Sequence, residues 1–296
     1  MVVVNSGAPD LMPWSGTVPA IVQAWYPGAE AGNALASVLF GDFNPSGRLP
    51  VSFPKLETDQ PALTPQQYPG IANQAQYSEG MYIGYRHFDR NQITPLFPFG
   101  FGLSYTTFRY SNLRVTGPAP GGPPLTRTGL GGPSATATFD VTNTGTRDGA
   151  DVPQLYIGPP PASPVDEPLR QLEGFQRVQV AAGQTVQVSL PIQFRAVSYY
   201  NVAQHAWTPL PGCHEVQIGS SESDIRLRIS GVDQALLPCG SAAAATTPIS
   251  AGGAGTGRHA LPLTATNGGA PTAIVLTGLL VLGVLLGVRV TARRQG

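Results

Sequence analysis

The sequence predicts an α/β layered segment, then an all-β sandwich, a linker and one C-terminal transmembrane helix. Three observations carry this reading. A valine strand, a second apolar run and a helical stretch follow one another within residues 1–41, which is the order of an α/β layer. Period-two alternation dominates residues 135–229, as in half-buried strands. Residues 270–288 are 19 positions without a charge, about enough to span a hydrocarbon core as a helix. The boundaries that follow are 1–108, 109–236, 237–260 and 261–296.

In the first segment Val2, Val3 and Val4 form a strand, and Asn5-Ser6-Gly7 supplies turn chemistry. Residues 20–25 (AIVQAW) form a second buried strand. Residues 30–40 have helical periodicity, with Ala31, Ala34, Leu35, Val38 and Leu39 on one apolar face and Gly41 as the stop. Glu30 falls near the helix N-terminus, where the helix dipole favours an acid. Asp42 and Arg48 are expected to pair locally. Phe97, Phe99, Phe101 and Tyr105 alternate as in a strand with one aromatic face.

Composition narrows the function. With 17 basic and 17 acidic residues there is no basic field to hold a polyanion, so nucleic acid is not an expected partner. Charged residues make up 11% of the chain, against 36 Gly and 30 Pro, which favours loop-rich β structure over helical bundles. His87, His205, His214 and His259 are scattered and no Cys/His spacing suggests a metal. No cofactor fingerprint is present. Cys213 and Cys239 read either as two buried thiols of a reducing compartment or as one disulfide in an exported protein. The disulfide would close a loop of about 27 residues and contribute ~3 kcal/mol.

Four motifs make a family resemblance specific. Residues 25–32 read WYPGAEAG and residues 39–54 read LFGDFNPSGRLPVSFP. Residues 77–86 read YSEGMYIGYR and residues 95–105 read PLFPFGFGLSY. Together they resemble glycoside hydrolase family 3, the β-glucosidase-like enzymes, and the match runs to about residue 235. The resemblance implies that residues 1–108 are part of that family's second, α/β domain. As residues, the motifs look like scaffold, since Gly and Pro at fixed spacing impose turns.

From residue 109 the strands expected are 135–143, 152–157 and 185–190, with a hairpin of 216–219 and 225–229 around 220–224. Several short strands with regular turn signals indicate a sandwich of immunoglobulin type. Residues 141–158 (VTNTGTRDGADVPQLYIG), 172–178 (LEGFQRV) and 212–227 (GCHEVQIGSSESDIRL) resemble the fibronectin type III-like domain that ends many family 3 glycosidases. Residues 117–133, rich in Pro and Gly, read as a solvated loop.

Retaining glycosidases need two carboxylates about 5 Å apart, a nucleophile and a general acid/base. In family 3 the resemblance implies an Asp on an N-terminal (β/α)8 barrel and a Glu upstream of the strand that opens this chain. Neither motif occurs in the 296 residues, so no catalytic residue is assigned. The chain is expected to be inactive alone and to work on a β-glycoside or oligosaccharide only with the missing barrel. Tyr77, Glu79 and Arg86 are the candidates for lining a sugar pocket; the structural alternative is a buried Glu79–Arg86 ion pair. A non-catalytic adhesion or binding module at the cell surface is the alternative function.

The tail has three parts: Leu261-Pro262-Leu263-Thr264-Ala265, the apolar run 270–288, and Arg289, Arg293 and Arg294. The basic end places the tail inside and the rest of the chain outside. The arrangement resembles the cell-wall sorting signal of Gram-positive bacteria, with Ala265 where Gly is usual. That resemblance implies sortase cleavage at Thr264, with sortase and the cell wall as partners, or simple membrane anchoring, and a location on the extracellular face of the cell envelope. Residues 237–260 read as its linker. The opening MVVVNSGAPDLMPW lacks the basic and long apolar regions of an export signal, so the chain is expected to start inside a domain.

Overall fold

A computed structural model of the protein describes residues 1–118, 134–233 and 235–239. Residues 119–133 of the insertion, residues 240–260 of the linker, Thr264 and the apolar span 270–288 lie outside the described residues, while residues 237–239 belong to the sandwich, where Cys239 is bonded to Cys213. Among the described residues no helix is long and apolar enough to cross a membrane.

Strands β1 (Val2–Val4) and β2 (Ile21–Gln23) pair in parallel, with Val3 opposite Val22. The sequence predicts both to be buried. They are not: β2 is half-buried throughout, and Val3 is 38% exposed. Parallel strands are enclosed when helices cover both faces, and a two-stranded ribbon beside one helix supplies too few layers. Helix α1 (Ala31–Phe40) begins after Glu30, whose carboxylate accepts a hydrogen bond from Asn33 at 2.7 Å. It stops at Gly41, which adopts φ 85° and donates its N–H to Val38 O. A side chain is strained in that left-handed position, and glycine is not.

Residues 97–105, expected as an aromatic strand, form no strand; only Phe97 makes a bridge, to Phe53. Pro98 offers no N–H, and Gly100 turns the chain at φ 81°. The rings therefore part. Phe97 and Phe101 stack with centroids 5.5 Å apart, while Phe99 packs 4.9 Å from Tyr85. Tyr85 opens helix α2 (Tyr85–Asn91), which ends at Gln92 in the left-handed region.

The sandwich begins with β3 (Phe108–Thr116) and β4 (Ser134–Asn143), continues through β5 (Gly149–Asp151), β6 (Gln154–Ile157), β7 (Gln171–Phe175) and β8 (Val178–Val180), and adds β9 (Thr185–Gln193). A hairpin of β10 (Ser198–Asn201) and β11 (Ala206–Pro209) precedes β12 (His214–Gly219) and β13 (Ile225–Val232). One sheet has the order β3-β4-β9 and the other β13-β12-β6-β7, with β5 and β8 as a small extra ladder. Strand β4 alternates strictly between half-buried and buried, sending Ala135, Ala137, Phe139, Val141 and Asn143 inward. Phe139, Leu155, Val188, Leu190, Val216 and Ile218 meet between the sheets as one apolar core, the main source of stability in such a layer pair. The expected strand 152–157 starts two residues later, at Gln154, after Pro153.

Cys213 and Cys239 are joined by a disulfide across 26 residues. It ties the segment after β13 to the residue that precedes β12. The backbone there also closes, as Cys239 N donates to Gly231 O at 3.1 Å.

Candidate functional site

The first segment is bound to the sandwich by a set of polar joints. The best connected is Arg48, which donates to Gly102 O and to the carboxylate of Asp151. Asp151 is 1% exposed and also accepts from Tyr110 Oη and Val152 N, at 2.7 and 2.8 Å. Burial, and then the Asp151 charge, push the Tyr110 phenol well up, so it stays a donor. The expected local pair with Asp42 does not form. Arg48 is turned across the junction toward β5, where a buried carboxylate lies within reach. Asn44 adds a second joint, accepting from Ser104 Oγ and Tyr105 N at 2.9 and 2.8 Å and donating to Asp148 O at 3.0 Å.

Tyr77 and Glu79 lie in the later part of the segment 60–84, and Arg86 in the first turn of α2. Gln67 organises the loop. Its amide oxygen accepts from Leu63 N and Thr64 N, both at 3.2 Å, and its amide nitrogen reaches Ser78 Oγ at 3.0 Å and Glu79 Oε2 at 3.3 Å. Sequence reasoning passes over Gln67, because a glutamine in a polar loop carries no pattern of its own. Tyr77 stands 85% exposed. Arg86 does not join the pair; no ion pair links it to Glu79 among the described residues. It lies instead by Tyr85, 5.8 Å from the ring, and on the side of Glu173 in β7. Burial pushes the Glu173 carboxyl up to about 7 against the opposing pull of Arg195 and Arg86.

The described residues also bring two carboxyl groups together that no motif announced. Asp89 of α2 and Glu222 of the β12–β13 turn both meet the Arg170 guanidinium, Asp89 by its carboxylate and Glu222 by its backbone carbonyl. Arg170 Nε lies 3.2 Å from Asp89 Oδ2, and the same guanidinium donates to the backbone carbonyl of Glu222. Burial, then the neighbouring Asp89, pushes Glu222 up to about 7, and burial raises Asp89 as well. Glu222 is 3% exposed. Arg170 thus ties α2 to the β12–β13 turn through a buried glutamate, a joint unlike the open carboxylates of a glycosidase.

Two clefts lie beside these joints. One, of about 430 Å³, opens between residues 46–50, Phe99 and strands β6 and β7, and is lined by Leu49, Phe99, Leu172 and Phe175 with Arg48, Gln154 and Arg177, and by no acid. The other lies beside α1 and holds Asp42 as its one carboxylate. Neither can set an attacking acid opposite a proton donor. Among the described residues no three His, Cys, Asp or Glu side chains gather to hold a metal ion.

An α/β layer joined to a fibronectin-like sandwich through Arg48–Asp151 and Asn44 defines the class. Residues 1–105 match the glycosyl hydrolase family 3 C-terminal domain, and residues 151–222 match the fibronectin type III-like domain. The chain therefore carries both domains in that order. Its relatives are β-glucosidases. A β-glucosidase of Rhizobium radiobacter is 44% identical over 232 residues, 78% of this chain and 27% of that protein. A probable β-glucosidase I of Aspergillus terreus is 39% identical over 76% of this chain and 26% of its own length. Among solved structures, the β-glucosidase DesR of Streptomyces venezuelae, in complex with D-glucose, superposes with a TM-score of 0.70 at 36% identity, covering 77% of this chain and 28% of its own. The β-D-glucoside glucohydrolase of Trichoderma reesei gives 0.68 at 35% identity, over 77% and 33%. The chain thus spans about a quarter to a third of the length of these proteins.

Proposed function

We propose that this chain is the C-terminal scaffold of a retaining β-glucosidase-type hydrolase of O-glycosyl bonds, with nucleophile and acid/base contributed by a (β/α)8 barrel and its adjoining elements. The observation that carries the reading is helix α1. It buries none of its residues, and Phe40 is 84% exposed. A ten-residue helix gains its stability from packing, so the half-buried Leu35, Val38 and Leu39 and the exposed Phe40 leave room for a further layer. Similarity to longer β-glucosidases, of which this chain spans about a quarter to a third, supports reading that layer as a catalytic domain. In this reading the exposed Tyr77 and the Gln67-held Glu79 border the bound sugar.

The test is turnover of an aryl β-glucoside. The purified chain alone is expected to give none. Joined to a catalytic barrel of this family it is expected to restore hydrolysis, with Tyr77→Ala raising KM more than it lowers kcat. Hydrolysis by the chain alone, lost on substitution of one of its own acids, would overturn the reading.

A further inference from the structure

The segment that carries Tyr77 and Glu79 runs into an anchor on the sandwich. Gly80 N donates to Tyr77 O at 3.3 Å and Tyr82 N to Glu79 O at 3.1 Å, so two successive turns connect both residues to Tyr82. Tyr82 Oη donates to Asp166 Oδ1 at 2.6 Å, and Arg90, in the last turn of α2, donates to Asp166 Oδ2 at 2.7 Å. The Arg90 guanidinium also lies over the Tyr82 ring, 3.8 Å from its centroid. The three side chains close a triangle in which both carboxylate oxygens are committed.

Asp166 comes from a different part of the molecule. It lies between β6 and β7, 84 residues from Tyr82, just after a turn in which Ser163 Oγ donates to Val165 O at 2.8 Å. The Arg90 and Asp166 side chains are 47% and 67% exposed, so their ion pair adds little to stability. A carboxylate that accepts from a phenol and a guanidinium, with the cation stacked on the phenol ring, fixes direction more than it adds energy. Gln67 holds the other side of the turn, through Ser78 Oγ and Glu79 Oε2. Gln67 belongs to the same segment and moves with it, whereas Asp166 ties the turn to the sandwich.

We propose that Asp166 is a positioning residue for Tyr77 and Glu79, acting through Tyr82 and braced by Arg90. This role rests on the reading that Tyr77 and Glu79 border the sugar, and it gives the sandwich a part in substrate binding. With the anchor removed, the turn samples more orientations, a smaller fraction of molecules is competent to bind, and KM rises. The bond-breaking groups belong to the barrel in the same reading, so kcat holds.

Hydrogen exchange of the 77–84 amides in the full chain reads the anchor itself. Tyr82→Phe, which removes the hydroxyl and keeps the ring, and Asp166→Ala are each expected to speed that exchange about fivefold and to leave the β4 amides unchanged. Turnover reads the role. In the chain joined to a catalytic barrel of the family, either substitution is expected to raise KM about fivefold with kcat held within about twofold. The double variant is expected to be no worse than the single ones, because both remove one contact. A merely structural joint would lower the amount of folded enzyme and leave KM where it was. Exchange that changes less than about twofold, or a joined enzyme whose KM responds to Tyr77→Ala and not to Asp166→Ala, would overturn the positioning role alone. A joined enzyme whose KM ignores Tyr77→Ala would overturn the sugar-facing reading, and the positioning role with it.

Discussion

Arg48→Met is expected to destabilise the protein by about 3–5 kcal/mol, the cost of breaking a buried ion pair from one side. The size follows from what remains behind. Asp151 stays 1% exposed with its hydrogen bonds from Tyr110 and Val152 but without a cation. Gly102 O also loses its donor. The methionine fills the space left by the arginine stem, so lost packing contributes little, and the penalty measures the stranded charge. Arg48 side-chain exposure is 12%, so solvent screening offers limited relief. Urea unfolding of wild type and variant, read by tryptophan fluorescence and circular dichroism together, checks this. A loss below about 1 kcal/mol, the range of surface ion pairs, would mean that the pair is solvated and that the junction is held by the Asn44 contacts and apolar packing instead.

The second large effect belongs to the disulfide. Opening Cys213–Cys239, by reduction or as the double substitution to serine, is expected to lower stability by about 3–4 kcal/mol, from the chain entropy released when a loop of this length is opened. The loop closed by the bridge, a separation of 26 residues, contains the whole β12–β13 hairpin. Strand β12 lies between β6 and β13 in its sheet, so the bridge stabilises a pairing that the rest of the sheet depends on. Leu236, fully buried in the core just before Cys239, is the side chain most exposed to fraying once the bridge opens. The urea midpoint under oxidising and reducing conditions decides the matter. Coincident midpoints would show that the 235–239 segment holds its place by Leu236 and backbone bonds alone.

Much of the architecture is legible in the sequence because it depends on neighbours. The alternation of residues 135–143 gives β4, the Ser220–Asp224 turn gives the β12–β13 hairpin, and Gly41 gives the end of α1. Strand β3 escapes notice because Asn112, at φ 58°, inserts a bulge that breaks the alternation before Leu113 turns into the core. Strand β7 escapes because Gly174 sits where a side chain would have marked the pattern. The aromatic run 97–105 misleads for the opposite reason. Its spacing fits a strand, but Pro98 and Gly100 decide the backbone.

The joints are not legible at all. Arg48 and Asp151 are separated by 103 residues, and Arg170 and Glu222 by 52; no local rule selects one carboxylate from the 17 acids of the chain. Arg86 shows the same limit. Its motif places it beside Glu79, while the first turn of α2 aims it toward β7. The family motifs are the readable part of the candidate site, and the charge partners that hold it are decided by the fold.

The central proposal is that the carboxylates that attack and protonate a glycosidic bond lie outside this chain. A glucoside with a 2-fluoro substituent and a good leaving group arrests retaining enzymes as the covalent glycosyl ester. Intact-mass and peptide analysis of the chain after exposure to this reagent puts the claim to trial. The expected outcome is an unchanged mass, also in the presence of a barrel that is itself labelled. A stoichiometric sugar ester on any Asp or Glu of this chain contradicts it.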